Sequence, residues 1–294
     1  MIKMNYTGPV YRPPYEANTL LLEVTVGCAH NKCTFCTMYR DVKFSVAKEE
    51  QVERDLQEAQ HLYPNVKRVF LVNGDAFVLS ARRLKEIARK IHAYLPQVEI
   101  ITMYASINNV KLKSDEELKQ LAGLGIGNLW IGVETGLGEA LDYLNKGADL
   151  ADTELQLERL NKAGISFFYG FMFGAAGKGR GIENAEANAR LINKVKPVGI
   201  VPTTLNANEG TKLANDIAAC AFELATEREV LEEQMKTIEL VDVPTYYMGI
   251  HVINTVSFDA KLPNDKQAAI DRINYYMSKT GNASLDSVPE RHSI

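Results

Sequence analysis

Residues 19–36 read Thr19-Leu20-Leu21-Leu22-Glu23-Val24-Thr25-Val26-Gly27-Cys28-Ala29-His30-Asn31-Lys32-Cys33-Thr34-Phe35-Cys36. The first eight are mostly apolar and β-branched, a run of strand length that Gly27 closes. Three cysteines, Cys28, Cys33 and Cys36, then fall within nine residues. Bunched thiols on one loop point to metal rather than to a disulfide framework. Thiolates are soft ligands of the kind iron–sulfur clusters select, and three of them leave one iron of a four-iron cluster open, as a catalytic metal keeps a vacant position. Zinc is the rival, with His30 or Cys220 as fourth ligand. His30 lies cramped between two of the cysteines, and Cys220 stands in an alanine-rich stretch that reads as a small buried hydrophobe.

Outward from this loop, one unit repeats. Val52, Leu56, Ala59 and Tyr63 fall at helical spacing and predict a helix over 48–63. A strand over 66–72 ends at Asn73-Gly74-Asp75, and a helix follows from about Ser80. Strand 98–105 leads to the capping box Ser114-Asp115-Glu116-Glu117, whose Ser and Glu satisfy free amides at a helix start. Strands are expected over 128–134, 165–173 and 198–205, with helices over 138–145, 152–163 and 182–195; Pro197 breaks the last. Six strand–helix units in alternation specify an α/β fold with a parallel sheet and right-handed crossovers. Residues 1–18 form a polar lead-in, 19–240 one domain, and 241–294 an extension with a strand-like run over 246–254 and a helix over 264–278. In such folds the chemistry lies at the C-terminal ends of the strands. Cys28, Asn73, Gly74, Asp75, Ser106, Glu134 and Gly174 all follow strand ends.

The chain has 294 residues, 46% hydrophobic and 24% charged, with a net charge of −4. That balance disfavours a broad electrostatic attraction to nucleic acid or an anionic membrane. No apolar run approaches the roughly 20 residues that span a bilayer, and the first fifteen residues lack the apolar core of a signal peptide. The expected location is cytoplasmic.

The loop from Gly27 to Cys36 resembles the signature loop of the radical S-adenosylmethionine (SAM) superfamily, which follows the first strand of a partial six-unit β/α barrel. The commonest spacing there has three residues between the first two cysteines; this chain has four. The final gap, with Phe35 just before the last cysteine, is similar, and implies that Phe35 lies near the adenine of SAM. Asn73-Gly74-Asp75 resembles the Gly-Gly-Glu element that receives the SAM amino group, with Asn and Asp as departures. Gly132-Val133-Glu134-Thr135-Gly136 resembles the Gly-Val-Glu-Ser-Gly element of the group around oxygen-independent coproporphyrinogen oxidases and methylthiotransferases. Lys146, twelve positions beyond Glu134, stands where that group holds the SAM carboxylate.

Each of these also has a plainer reading. Asn73-Gly74-Asp75 suits a simple turn, Glu134 a solvated loop carboxylate, and Lys146 a lysine favoured by a helix C-terminus. Ser106 and Asn108 suit a ribose or a turn equally. The glycine-rich stretch 174–181 lacks both the phosphate-loop and the dinucleotide order; the resemblance makes Gly174 a lining of the adenine site instead. Gly249-Ile250-His251-Val252-Ile253-Asn254 resembles the tail of one small radical SAM branch, with His251 read as a core histidine ahead of a substrate contact.

The resemblance implies a partial (β/α)6 TIM-like barrel with a short C-terminal extension, a [4Fe-4S] cluster on Cys28, Cys33 and Cys36, and SAM. It further implies reductive SAM cleavage, a 5′-deoxyadenosyl radical, and an electron donor such as a flavodoxin or ferredoxin. A cobalamin domain, a second cluster and tRNA modification are disfavoured, which leaves a small-molecule substrate. The rivals are an iron–sulfur or zinc-binding barrel without SAM chemistry and a zinc-stabilised barrel hydrolase.

Overall fold

The computed structural model describes residues 4–291. Its elements in chain order are β1 Leu20–Glu23, β2 Thr25–Val26, β3 Ser45–Val46, α1 Glu49–Leu62, β4 Arg68–Val72, α2 Ala81–Tyr94, β5 Ile100–Ala105, α3 Ile107–Lys111, α4 Asp115–Ala122, β6 Leu129–Glu134, α5 Gly138–Leu144, α6 Leu150–Ala163, β7 Phe167–Phe173, α7 Gly181–Val195, β8 Gly199–Thr204, α8 Lys212–Ala218, α9 Glu227–Leu240, β9 Thr245–Met248, β10 Asp259–Leu262, α10 Lys266–Lys279 and α11 Asn282–Leu285. Eight strands follow the order β1-β4-β5-β6-β7-β8-β9-β10. The pairs β1–β4, β4–β5, β5–β6, β7–β8 and β8–β9 are parallel, and β10 closes the row antiparallel to β9. Six of these are the expected strands in the expected order, the arrangement of a partial β/α barrel.

The chain divides into two compact units: residues up to Asn31 with Met38–Ile131 and Leu155–Phe167, and Lys32–Thr37 with Gly132–Glu154 and everything from Phe168. In the first, Leu22, Val69, Phe70, Leu71, Ile101 and Met103 of the strands are buried, as are Leu56, Leu84, Ile87, Leu118 and Leu121 of the helices. Parallel strands covered by helices bury both faces, which is why these runs are continuously apolar. The capping boxes of α3 and α4 set the helix starts: Ser106 and Ser114 accept the amides of Asn109 and Glu117, whose side chains return the bond. In the second unit, Tyr169, Phe171 and Phe173 of β7, Ala185, Ala189 and Ile192 of α7, and Val230, Leu231 and Ile238 of α9 are buried.

Three local expectations change. The run 19–26 is not one strand: β1 ends at Glu23, and β2 turns aside to pair antiparallel with β3. The run 246–254 is a strand only to Met248; beyond it the Asn254 amide donates to the Pro202 and Gly249 carbonyls (2.8 and 3.2 Å) and bends the segment into a turn. Cys220 is exposed rather than buried. It follows α8 in a left-handed conformation (φ 56°), and the residue α8 buries is Leu213.

Candidate functional site

In the second unit, the segment 32–37 carrying Cys33 and Cys36 is laced to its surroundings by main-chain groups. The Cys36 amide donates to the Cys33 carbonyl (3.3 Å), the Thr34 amide to Leu144 at the end of α5 (3.2 Å), and the Leu213 amide to Thr34 (3.0 Å). Asn145 donates to the Lys32 carbonyl (2.9 Å) and Asn208 to that of Phe35 (3.4 Å). Phe35 packs on a cluster formed by Leu144, Met172, Ala175, Leu205 and Leu213. Both thiols are thus presented, half-buried, by a loop held on several sides.

Glu134 ends β6 with φ 74°, a left-handed backbone unusual for a residue with a side chain and of the kind that clusters at functional sites. Its carboxylate is buried and meets the Lys146 ammonium at 2.8 Å. Lys146 reaches it because α5 stops at Asn145 in the left-handed conformation (φ 54°), a common helix stop for which Asn is suited. A Cβ on Gly132 would lie 2.2 Å from Glu134 Oε1 and 3.0 Å from Lys146 Nζ, so only glycine leaves room for the pair. Gly136 packs its Cα on α7, where a Cβ would lie 2.5 Å from the Ala187 carbonyl oxygen. Burial weakens the Lys146 charge, but the Glu134 carboxylate and the Cys33 and Cys36 thiols outweigh it and hold the ammonium above the ordinary lysine range.

Gly174 begins the turn after β7 with φ 74°. Its amide donates to the buried Glu233 carboxylate of α9 at 2.8 Å. Sequence reading missed Glu233 and its partner Asn184, since neither sits in a motif. The one trace was Asn184 and Asn188 lying one helical turn apart among the small apolar residues of α7.

In the first unit, Cys28 follows Gly27, whose positive φ (75°) turns the chain out of β2. Asn73 is fully buried. Its amide donates to the Thr25 carbonyl (3.0 Å) and to Glu23 Oε2 (3.4 Å), and its oxygen accepts from Tyr39 (3.4 Å). Asn73 therefore ties the end of β4 to β2 and Tyr39. Gly74 is needed for the same packing, since a Cβ there would lie 2.4 Å from the Tyr39 ring. Asp75 is buried and precedes a 3-10 turn over Ala76–Val78. Ser106 is the N-cap of α3, and the half-buried Asn108 lies in that helix's first turn.

Sequence reading also missed Lys113, a buried lysine whose ammonium donates to the carbonyls of Phe77 (2.7 Å) and Asn109 (3.1 Å). It bridges the turn after β4 to the helix after β5. Of the two residues in the tail motif, Asn254 is a structural tie, and His251 is half-buried with its pKa pushed down by burial.

Among the described residues no three His, Cys, Asp or Glu side chains are drawn together closely enough to hold a metal ion. The donor set nevertheless fits an iron–sulfur cluster in its chemistry: three half-buried cysteines, none in a disulfide, within nine residues. Among the described residues no helix is long and apolar enough to cross a membrane.

The family model described as the radical SAM superfamily matches residues 22–192, the span from β1 to near the end of α7. In fold the chain is similar to the radical S-adenosylmethionine methyltransferase TsrM from Kitasatospora setae, solved with cobalamin and a [4Fe-4S] cluster bound (TM-score 0.55, 19% identity, 69% of this chain and 37% of that one). It is also similar to methylornithine synthase PylB (0.56, 14%, 87% and 68%) and to coproporphyrinogen III oxidase HemN from Escherichia coli (0.54, 14%, 75% and 51%). The chain thus spans little more than a third of the methyltransferase and about half of the oxidase. No curated protein matches it significantly in sequence.

Proposed function

Since this chain belongs to the radical SAM superfamily, whose members use a [4Fe-4S] cluster and SAM, we propose that it is an enzyme that cleaves SAM reductively and acts on a small-molecule substrate. When bound and reduced, the cluster would supply the one electron for reductive cleavage of SAM, and with it a radical able to take a hydrogen atom from substrate. Cys28, Cys33 and Cys36 are the residues that would hold it. The observation that carries the reading is the buried Glu134–Lys146 pair whose ammonium lies in the field of Cys33 and Cys36.

The chain's own residues bind and orient. The Lys146 ammonium provides a charge for the SAM carboxylate, and Glu134 holds that ammonium in place. Gly174, Phe35, Ser106 and Asn108 are assigned to the adenosine. Asn73 fixes the turn in which Gly74 and Asp75 receive the SAM amino group. The apolar cluster under Phe35 keeps water from the loop, as a reactive radical requires. Residues 19–240 are assigned as the catalytic barrel and 241–294 as the extension that covers its opening. A cytoplasmic location and a flavodoxin or ferredoxin as electron donor complete the proposal.

Anaerobic reconstitution tests the ligand set. About four irons with matching sulfide are expected per chain. Each of Cys28→Ala, Cys33→Ala and Cys36→Ala should lose them, while Cys220→Ala should not. Full iron retention in Cys33→Ala, or zinc in place of iron, would overturn the assignment.

A further inference from the structure

Within the second unit a chain of buried polar groups joins the turn after β6 to the turn after β7. The Leu137 amide donates to Thr135 Oγ1 (3.0 Å), and that hydroxyl donates to Asn184 Oδ1 (2.5 Å). The Asn184 amide donates to Glu233 Oε1 (2.6 Å) and to the Met172 carbonyl (3.1 Å). Glu233 Oε2 accepts the Gly174 amide. A branch runs from Tyr169 through Asn188 to Asn184 Oδ1 (3.0 and 3.2 Å). Thr135, Asn184, Asn188, Tyr169 and Glu233 are all fully buried.

Glu233 lies on the same buried face of α9 as Val230, Leu231 and Ile238, where a leucine would fill the space without the cost of burying a carboxyl group. Replacing buried polar networks by apolar residues is often neutral or stabilising, so such a network is weak evidence for stability as such. What a satisfied network does supply is a unique geometry. This one fixes two main-chain turns, at Thr135–Leu137 and at Gly174. Both belong to the strand ends assigned above to SAM.

We infer that Asn184 and Glu233 are positioning residues that hold the turns after β6 and β7 in the arrangement that binds SAM. The inference rests on the SAM reading of these strand ends. Neither residue needs to touch the ligand. Their effect passes through Thr135, the residue beside Glu134, and through the amide of Gly174.

The test compares reconstituted wild-type protein with Glu233→Leu, Glu233→Gln and Thr135→Val. It reads SAM affinity, iron content and hydrogen exchange at the Gly174 amide. Glu233→Leu should keep its iron, exchange Gly174 faster, and bind SAM about tenfold or more weakly, the scale of one lost buried hydrogen bond. Glu233→Gln keeps the shape and, with its oxygen toward Gly174, the acceptor for that amide; only the bond from Asn184 is lost, and the Asn184 amide keeps the Met172 carbonyl. Glu233→Gln should therefore restore SAM affinity to within about threefold of wild type. Should Glu233→Leu fail to fold, Thr135→Val removes a single hydroxyl and carries the same expectation for SAM affinity. A folded Glu233→Leu with wild-type affinity and wild-type Gly174 exchange overturns the inference, and so does a Gln variant as weak as Leu. If the wild type binds no SAM, the proposed function fails, and Gly174 exchange alone decides: unchanged exchange in Glu233→Leu overturns the positioning role, and faster exchange supports it.

Discussion

Glu134 and Lys146 lie twelve positions apart in the sequence, on opposite sides of helix α5, yet meet in a 2.8 Å ion pair with Gly132 beneath it. Every part of that arrangement has a local cause. A positive φ ends β6, a left-handed Asn145 ends α5, and a missing side chain at position 132 leaves the space.

Removing either charge should strip the site of its SAM contact and leave the cluster in place. Glu134→Ala or Lys146→Ala is expected to weaken SAM binding by roughly 1.5–3 kcal/mol, the range for charge-assisted hydrogen bonds. Equilibrium binding of SAM alongside iron content checks this. Unchanged affinity in Lys146→Ala would remove the carboxylate assignment.

Gly132→Ala should act on the site and spare the fold. Its Cβ meets the far end of a flexible side chain, so Glu134 can swing away at little structural cost and lose Lys146. SAM affinity should fall toward that of Glu134→Ala, with the melting temperature lowered no further than in Glu134→Ala. Gly136→Ala is the contrast. Its Cβ meets the Ala187 and Asn188 main chain, which cannot yield so easily, and overpacking of this kind costs about 1–3 kcal/mol. The melting temperature should fall there.

Much of the fold was legible because the parallel strands are apolar on both faces and their helices carry clear stripes and capping residues. Ser114 and Glu117 announced α4 without ambiguity. What escaped was short or disguised. The strands β2 and β3 have two residues each, too few to show a period. Helix α9 buries Glu227, Glu233, Gln234 and Thr237 among its apolar residues, which blurs the stripe that would have marked it. In the site, Glu134 and Lys146 could be singled out only because the stretch 132–136 resembles a family element that marks the position twelve beyond its acid. Glu233 and Gly174 are 59 positions apart, and only the packing of α9 joins them. Asn73 follows β4 as expected, but its side chain is tied to Thr25, Glu23 and Tyr39.

Glu233 should leave a signature in the pH dependence of stability. Burial pushes its carboxyl up to about 8 against the two hydrogen bonds that favour the charged form. Between about pH 4.5 and 8 the folded chain holds a proton that the unfolded chain has lost, so stability falls as pH rises through that window. Glu233→Gln cannot titrate. Its melting temperature relative to wild type should therefore rise between about pH 5 and 8; a constant difference would contradict the assignment.

Lys113 should behave in the opposite sense at higher pH. Burial pushes its ammonium down to about 8, with Glu117 and Asp75 opposing the shift. From there to about pH 10.5 the unfolded chain holds the proton and the folded chain does not, so this residue adds stability as pH rises. Denaturant unfolding should show the advantage of wild type over Lys113→Met growing between about pH 8 and 10. A constant advantage over that range would mean that the buried amine stays charged.

The most direct test of the account is the fate of SAM itself. Anaerobically reconstituted protein, mixed with SAM and a strong one-electron reductant, is assayed for 5′-deoxyadenosine. The account predicts its release, slow without substrate, absent without reductant, lost in Cys28→Ala, Cys33→Ala and Cys36→Ala, and reduced in Glu134→Ala and Lys146→Ala. An intact, reducible cluster that yields no 5′-deoxyadenosine from SAM would contradict it.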